Sequence, residues 1–198
     1  MDYSCVFVGN MQANAYIVFD PAREDCFVID PGAEPEKIRN QQEGRKLAAI
    51  LLTHGHCDHI GAVAELRGPG VPVYIHTGDA QMLTDPKLSL AAMFDGKRSQ
   101  GEPDFRFSEG TLQIAGITIS AMHTPGHTPG SCCFLIGDVL FSGDTLFRRG
   151  MGRTDLPGGN ETAMRKSLTL LMELDDGLLV CPGHGQRTFI GDERKYIP

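Results

Sequence analysis

Residues 47–59, LAAILLTHGHCDH, join a nearly continuous apolar run to a cluster of three histidines and one aspartate. The apolar run is typical of a strand that is buried on both faces. The polar cluster follows at once, so His54, His56, Asp58 and His59 lie at the end of that strand. Because rigid scaffolds usually present binding groups on loops at strand ends, this segment predicts a functional site there.

The residue types of this cluster point to metal binding. Imidazole nitrogens and carboxylate oxygens suit Zn, Fe or Mn better than the metals that prefer thiolates. His54 and His56 are two residues apart and would point the same way in an extended loop. Asp58 and His59 are expected to begin a helix, whose N-terminus favours a carboxylate. Four ligands from so short a segment leave one ion no open position, so two metals that share the loop are the simpler account.

The pattern of a strand followed by a Gly- or Pro-rich loop with His or Asp recurs three times. The later loops begin at residues 124, 142 and 181 and read TPGHTPG, SGDT and CPGHG. They add three candidate metal ligands, which are His127, Asp144 and His184. His76 and His123 lie outside this pattern and are expected to be ordinary polar residues. Cys57 and Cys181 are expected to be small buried side chains beside the ligands.

Composition bounds the class of protein. The 198 residues fit one domain, residues 1–198, that is large enough for a two-layer core. A content of 41% apolar and 22% charged residues is typical of a globular protein, and the net charge of −7 argues against a nucleic-acid partner. The apolar runs fall far short of the ~18 residues of a membrane span. The first ten residues lack the pattern of a signal peptide, so we expect a cytoplasmic chain with reduced cysteines and no membrane partner.

Hydrophobic periodicity predicts many short strands with a few helices between them. The predicted strands cover residues 4–8, 15–19, 26–29, 47–52, 71–75, 112–114, 117–122, 132–136, 139–141 and 178–181. The predicted helices cover residues 35–42, 60–67 and 161–174. Residues 78–103 show no clear pattern. Strand clusters with helices in both halves indicate two mixed sheets with helices outside them, rather than a doubly wound sheet.

The motif His54-x-His56-x-Asp58-His59, with a His, an Asp and a His downstream, resembles the metallo-β-lactamase fold superfamily over residues 30–184. The resemblance implies an αββα sandwich of two mixed sheets, with helices on the outer faces and two divalent metal ions at one edge. Zinc is the first expectation for these ions, with Fe or Mn as alternatives. By analogy, the first metal would be held by His54, His56 and His127. The second would be held by Asp58, His59 and His184, and Asp144 would bridge the two.

Within the superfamily, two stretches resemble the glyoxalase II branch and its short bacterial hydroxyacylglutathione hydrolases. They are TPGHTPGS from residue 124, and the segment with SGDTLF from residue 142 and GRTDLPGG from residue 152. The resemblance implies hydrolysis of a small-molecule thioester such as S-lactoylglutathione by a hydroxide between the two metals. Asp58 is the candidate catalytic residue, which would orient that water or accept its proton.

Three arginines near the third loop are candidate contacts for a substrate carboxylate. They are Arg148, Arg149 and Arg153. The alternative is that they are exposed arginines or form an ion pair such as Arg153 with Asp155.

Other activities are compatible with the same ligands. A persulfide dioxygenase would hold a single Fe(II) on His54, His127 and Asp144, with open positions for oxygen and a thiol. Lactone or phosphodiester hydrolysis on the metal pair is a second alternative. A metal-binding module without catalysis is a third. The sequence does not indicate the oligomeric state.

Overall fold

A computed structural model describes residues 1–94 and 99–197 of the chain. Its first sheet has six strands in the order of the chain: β1 (Asp2–Val8), β2 (Ala13–Phe19), β3 (Asp25–Ile29), β4 (Lys46–Leu51), β5 (Val73–His76) and β6 (Phe105–Phe107). Strands β1 to β3 pair antiparallel, whereas β3 to β6 pair parallel. The sheet is therefore mixed.

The second sheet also has six strands. They are β7 (Gly110–Ile114), β8 (Ile117–His123), β9 (Cys132–Ile136), β10 (Val139–Gly143), β13 (Leu179–Pro182) and β14 (Thr188–Phe189). Their order is β14-β13-β10-β9-β8-β7, and only β10 and β13 pair parallel. A small hairpin of β11 (Leu146–Phe147) and β12 (Gly150–Met151) lies outside both sheets.

The α-helices of the described residues are short. They are α1 (Pro35–Gln41), α2 (Cys57–Ile60), α3 (Val63–Leu66), α4 (Glu161–Met172) and α5 (Ile190–Glu193). The side chain of Asn160 caps the N-terminus of α4 by accepting a hydrogen bond from the Ala163 N–H at 2.9 Å. No helix in the described ranges combines the length and the apolar character that a bilayer crossing requires.

Three apolar clusters separate four layers. Alternate residues at the end of β4 face opposite sides of the first sheet. Ile50 and Leu52 pack with Ile38 of α1 on its outer side, while Leu51 packs between the two sheets. On the far side, Leu168 of α4 packs against the outer face of the second sheet. The order helix, sheet, sheet, helix confirms the predicted αββα sandwich. Residues 49–52 of the apolar run are buried on both faces as predicted, whereas Leu47 and Ala48 are half-buried.

The predicted helix at residues 60–67 is wrong in its boundaries. The helical segment begins at Cys57 and breaks into α2 and α3 around Gly61 and Ala62. The Ala62 N–H donates to the Pro31 carbonyl at 2.9 Å, outside the helix. A Cβ on Gly61 would lie 2.3 Å from the carbonyl oxygen of Gly32. Contact with the loop after β3 therefore breaks the helix.

The described residues of 78–103, a stretch that showed no clear pattern, contain little regular structure. A 3₁₀ helix covers Thr77–Leu83, and a shorter one covers Ala91–Met93. Strand β6 follows at Phe105–Phe107 and was not predicted, because three residues are too few to show a period. Residues 95–98 lie outside the described residues.

Candidate metal centre

The loops after β4, β8, β10 and β13 meet at one edge of the two sheets. The Cys132 N–H donates to the Thr53 carbonyl at 2.8 Å, which joins the first sheet to the second. The Gly183 N–H donates to the Gly143 carbonyl, also at 2.8 Å. The backbone therefore brings together the four strand ends at which the sequence places its seven candidate ligands.

The first group of side chains consists of His54, His56 and His127, all of them buried. They offer ligand atoms that all lie within 4.8 Å of one another. The Nδ1 atom of His56 lies 2.8 Å from Nε2 of His127. Three imidazoles at this spacing supply three of the four ligands of a tetrahedral coordination shell, so this group can hold one divalent cation.

The second group consists of Asp58, His59 and His184. The Nε2 atom of His184 lies 3.1 Å from Oδ2 of Asp58 and 3.2 Å from Nε2 of His59. Two nitrogens and one carboxylate oxygen suit the same class of metal as the first group.

Asp144 lies between the two groups. Its Oδ1 is 3.4 Å from Nε2 of His59, and its Oδ2 is 3.5 Å from Nε2 of His127 and 3.6 Å from Nε2 of His184. One carboxylate therefore reaches ligands of both groups, as a bridging residue must.

Four of the five histidines are oriented through Nδ1. The partners of this atom are Thr53 Oγ1 for His54 (3.0 Å), Asp30 Oδ2 for His59 (3.0 Å), the Arg153 carbonyl for His127 (2.8 Å) and the Met11 carbonyl for His184 (3.1 Å). Such partners fix the orientation of an imidazole and leave Nε2 as its free ligand atom. His56 is the exception, because its Nδ1 faces His127.

Asp30 is a supporting residue that sequence reasoning missed. Its carboxylate accepts hydrogen bonds from the Thr53 N–H at 2.8 Å and the Thr53 hydroxyl at 2.5 Å, and it contacts Nδ1 of His59. It also forms a candidate metal group with His54 and His59. Because Thr53 and His59 already occupy its oxygens, we assign it to positioning those residues. Its place at the end of β3, before Pro31, is the same strand-end signal that identified the other loops.

Asp79 is a second buried carboxylate that sequence reasoning missed. It accepts hydrogen bonds from the Gly55 N–H at 3.0 Å, the Thr128 hydroxyl at 2.6 Å and the Gly130 N–H at 2.7 Å. Burial raises the pKa of Asp79, and these hydrogen bonds oppose that effect. The residue connects the loop of His54 and His56 to the loop of His127. No local motif marks it, because its partners are 24 to 51 positions away.

The charges of the cluster depend strongly on burial and on each other. Burial, with His127 beside it, lowers the pKa of His56 to about 3. Burial alone would also lower the pKa of His59, but the carboxylates of Asp144 and Asp58 outweigh it and raise that pKa to about 10. Burial favours neutral Asp58, yet His59 and His184 hold the pKa of its carboxyl well below the usual range. Asp58 is therefore a carboxylate at neutral pH.

The residues present fit divalent cations. Within the described part of the chain, the buried atoms His54 Nε2 and Asp144 Oδ1 have no hydrogen-bond partner, which is costly unless they bind something else. A Cβ on Gly183 would lie 2.2 Å from Asp144 Oδ1 and 2.7 Å from His59 Cε1, so glycine leaves the ligands their space. Imidazole and carboxylate donors are those that Zn, Fe and Mn prefer.

Arg153 contributes through its backbone. Its carbonyl accepts from Nδ1 of His127, while its side chain is exposed and pairs with Asp155 at 2.7 Å. The geometry agrees with the ion pair that was the alternative to a substrate contact.

The other two arginines have partners as well. Arg148 donates to the side chain of Gln186, and the guanidinium of Arg149 lies 5.4 Å from the ring centre of Tyr196. Arg149 has a φ of 59°, and its N–H donates to Glu193 at 2.6 Å. Neither arginine side chain forms a hydrogen bond or an ion pair with the described residues of the ligand cluster.

The remaining histidines and cysteines near the loops lie outside the cluster. His76 and His123 stack with ring centres 4.1 Å apart, and His76 accepts from the Gly78 N–H. Cys181 is buried as expected, whereas Cys57 is half-buried. Burial raises the pKa of the Cys57 thiol to about 11, so it is not a thiolate at neutral pH.

Sequence comparison, like the geometry of the site, points to a metal-dependent protein. The profile of the Metallo-beta-lactamase superfamily matches residues 8–184. The "Probable metallo-hydrolase YqgX" of Bacillus subtilis is 38% identical over 199 residues, which cover 96% of this chain and 93% of YqgX. The "Hydroxyacylglutathione hydrolase GloC" of Haemophilus influenzae is 34% identical over 207 residues, which cover 100% of this chain and 97% of GloC.

Solved structures share the whole architecture. The B3 metallo-β-lactamase BLEG-1 superposes with a TM-score of 0.92 at 36% identity, covering 100% of this chain and 98% of BLEG-1. TTHA1623, solved in a di-iron-bound form, gives 0.88 at 38% identity and covers 98% of both chains. ETHE1 from Myxococcus xanthus gives 0.79 at 29% identity, covering 100% of this chain and 84% of ETHE1.

Proposed function

This chain belongs to the metallo-beta-lactamase superfamily of metal-dependent hydrolases, and from that membership we propose that it hydrolyses thioesters with two divalent metal ions. The observation that carries the proposal is the position of Asp144, within 3.6 Å of ligand atoms from both groups. The likeness to GloC over the full length of both chains supports a thioester as substrate. The proposed substrate is a small S-acyl thiol such as S-lactoylglutathione, hydrolysed to an acid and a thiol in the cytoplasm.

The proposed ligands divide as the geometry groups them. His54, His56 and His127 would hold one ion, and Asp58, His59 and His184 the other. Asp144 would contact both. We propose zinc for both positions, with iron or manganese as alternatives that the same donors accept. When bound, such a pair supplies Lewis acidity for a carbonyl oxygen and lowers the pKa of a water molecule.

Asp58 is the proposed catalytic residue. A carboxylate at this position can accept a hydrogen bond from a water and hold that water's proton during attack. Its Oδ2 contacts His184 at 3.1 Å, which fixes the side chain in the cluster. The leaving thiolate is a weak base, so the chain needs no general acid for it. The neutral Cys57 thiol beside Asp58 is therefore not required for the reaction.

The test is hydrolysis of S-lactoylglutathione by the zinc-loaded protein, followed by product analysis. We expect hydrolysis, and Asp58→Asn should lower its rate at least ~100-fold. Asp155→Asn is the matched control, since Asp155 is exposed and pairs only with the side chain of Arg153 among the ion pairs described. A zinc-loaded protein that leaves thioesters intact but opens a lactone, a phosphodiester or a β-lactam would contradict the proposal. A protein that is inactive on all of them and consumes no oxygen with glutathione persulfide would be a metal-binding module.

A persulfide dioxygenase is the second candidate. It would need one Fe(II) on His54, His127 and Asp144, a set of two histidines and one carboxylate with open positions. The observation in its favour is the architecture shared with the persulfide dioxygenase ETHE1, which superposes over the whole of this chain with a TM-score of 0.79. Elemental analysis of protein purified without added metal separates the two. About two ions per chain support the hydrolase, whereas one iron with oxygen uptake on glutathione persulfide would support the dioxygenase.

A further inference from the structure

We infer that a cavity beside Asp58 binds an apolar arm of the substrate, so that thioesters with an alkyl or aryl arm are better substrates than S-lactoylglutathione, an inference that rests on the proposed thioester hydrolysis. The cavity has a volume of about 610 Å³. Cys57 and Asp58 of α2 line one side, and the turn around Met11 lines another. Ala91 and Phe94 contribute a third side. This volume lies within the usual range for a small-molecule site.

The lining is mostly apolar. Its larger or methyl-bearing side chains are Val8, Met11, Ala33, Ile60, Ala91 and Phe94, and its neutral polar side chains include Asn10, Ser89 and Gln100. Asp58 is the one charged side chain among the described residues of the lining. An alkyl or aryl group that enters the cavity would gain free energy from the burial of its hydrocarbon surface.

Two apolar side chains of the lining and one beside it in the chain are exposed. Met11 is 42% exposed and Phe94 is 59% exposed, and the neighbouring Met93 is 72% exposed. Large apolar side chains that cluster at the surface beside a cavity usually mark a contact site for an apolar ligand. Phe94 and Met11 therefore fit the role of closing over a bound hydrocarbon group.

The cavity adjoins the second ligand group on two sides. Asp58 belongs to both, and the Met11 carbonyl accepts from Nδ1 of His184 at 3.1 Å. A thioester whose carbonyl carbon lies at the cluster therefore needs only a short chain to enter the cavity. The arginines that could recognise carboxylates have other partners, as Arg153 has in Asp155. Recognition at this face is expected to depend on hydrocarbon area.

The experiment measures kcat/KM of the zinc-loaded protein on two series of neutral thioesters. One series lengthens the acyl group from two to eight carbons on N-acetylcysteamine, and the other lengthens an alkyl thiol on a fixed acetyl group. We expect kcat/KM to rise about fourfold per added methylene in one series, until the cavity is full. The series that shows the rise identifies which arm, acyl or thiol, enters the cavity.

The variant Ala91→Phe fills the cavity from its half-buried wall, and Ala92→Phe is its control, because Ala92 is exposed and does not line the cavity. The rise with chain length should disappear in Ala91→Phe and persist in Ala92→Phe. If thioesters are hydrolysed with no dependence on either arm, or with equal dependence in both variants, the inference is wrong while the hydrolase proposal stands. If the zinc-loaded protein hydrolyses no thioester, the hydrolase proposal fails and the inference with it.

Discussion

The substitution Gly183→Ala is expected to weaken binding of at least one metal strongly while leaving the fold intact. Gly183 is buried at the end of β13, directly before the ligand His184. Its N–H donates to the Gly143 carbonyl at 2.8 Å, and its carbonyl accepts from the Asn14 N–H at 2.7 Å. Because both sides of the residue are held, the backbone cannot move to make room for a methyl group.

The size of the effect follows from the distances. The new methyl carbon would lie 2.2 Å from Asp144 Oδ1, whereas ordinary contacts begin near 3.4 Å. The carboxylate would have to retreat by about 1.2 Å, and His59, 2.7 Å away, would have to move as well. Metal–ligand distances tolerate only about ±0.2 Å. We therefore expect a loss of metal affinity of roughly 100-fold or more, which is about 2.8 kcal/mol of binding free energy.

The assay is a competition titration. The protein is stripped with a chelator, and Zn²⁺ is added in the presence of a chromophoric chelator of known affinity. Circular dichroism and thermal melting of the metal-free Gly183→Ala protein check that it still folds. Gly150→Ala is the matched control, because a Cβ on Gly150 meets nothing within 4 Å. A folded Gly183→Ala protein that binds two Zn²⁺ as tightly as the parent would refute the placement of Asp144 and His59 as ligands.

Three further predictions concern the groups around the cluster. Asp79→Asn should lower the free energy of unfolding by about 2–3 kcal/mol, because its amide NH₂ would face a buried donor, and a change below ~0.5 kcal/mol on urea unfolding would contradict this. In the metal-free protein, the free energy of unfolding should fall as the pH drops from about 6.5 towards 3. The reason is that burial lowers the pKa of His56 to about 3, so that the unfolded chain takes up a proton at a higher pH than the folded chain does. Urea titrations that give the same free energy of unfolding at every pH in this range would exclude this. Arg153→Ala should change stability by less than ~0.5 kcal/mol and leave the zinc content unchanged, since only the backbone of Arg153 contacts His127, and zinc loss on elemental analysis would count against that view.

Features that the sequence encodes locally were predictable. The apolar run at residues 47–52 and the four metal-type residues after it are adjacent in the chain, so periodicity and residue type suffice to predict a buried strand and a cluster at its end. The three later loops follow the same rule. The two mixed sheets and their outer helices follow from how the predicted strands and helices are distributed along the chain, and the structure confirms this architecture.

Features that depend on distant contacts were not predictable. The break between α2 and α3 comes from the bond of Ala62 to Pro31, a contact with a different loop. Strands of two or three residues, such as β6 and β14, pair with neighbours in the sheet but are too short to show a period. A single sequence reveals neither of these contacts.

The same distinction explains why the candidate ligands were easier to find than the residues that orient them. A ligand must be a His or an Asp at a strand end, and that requirement is visible in the chain. An orienting group needs only an oxygen near Nδ1, and here that oxygen comes from a hydroxyl (Thr53), a carboxylate (Asp30) and two backbone carbonyls. Backbone carbonyls leave no trace in residue type. Metal affinity should therefore be sensitive to substitutions that displace the Met11 or Arg153 backbone, and insensitive to those that change only the side chain.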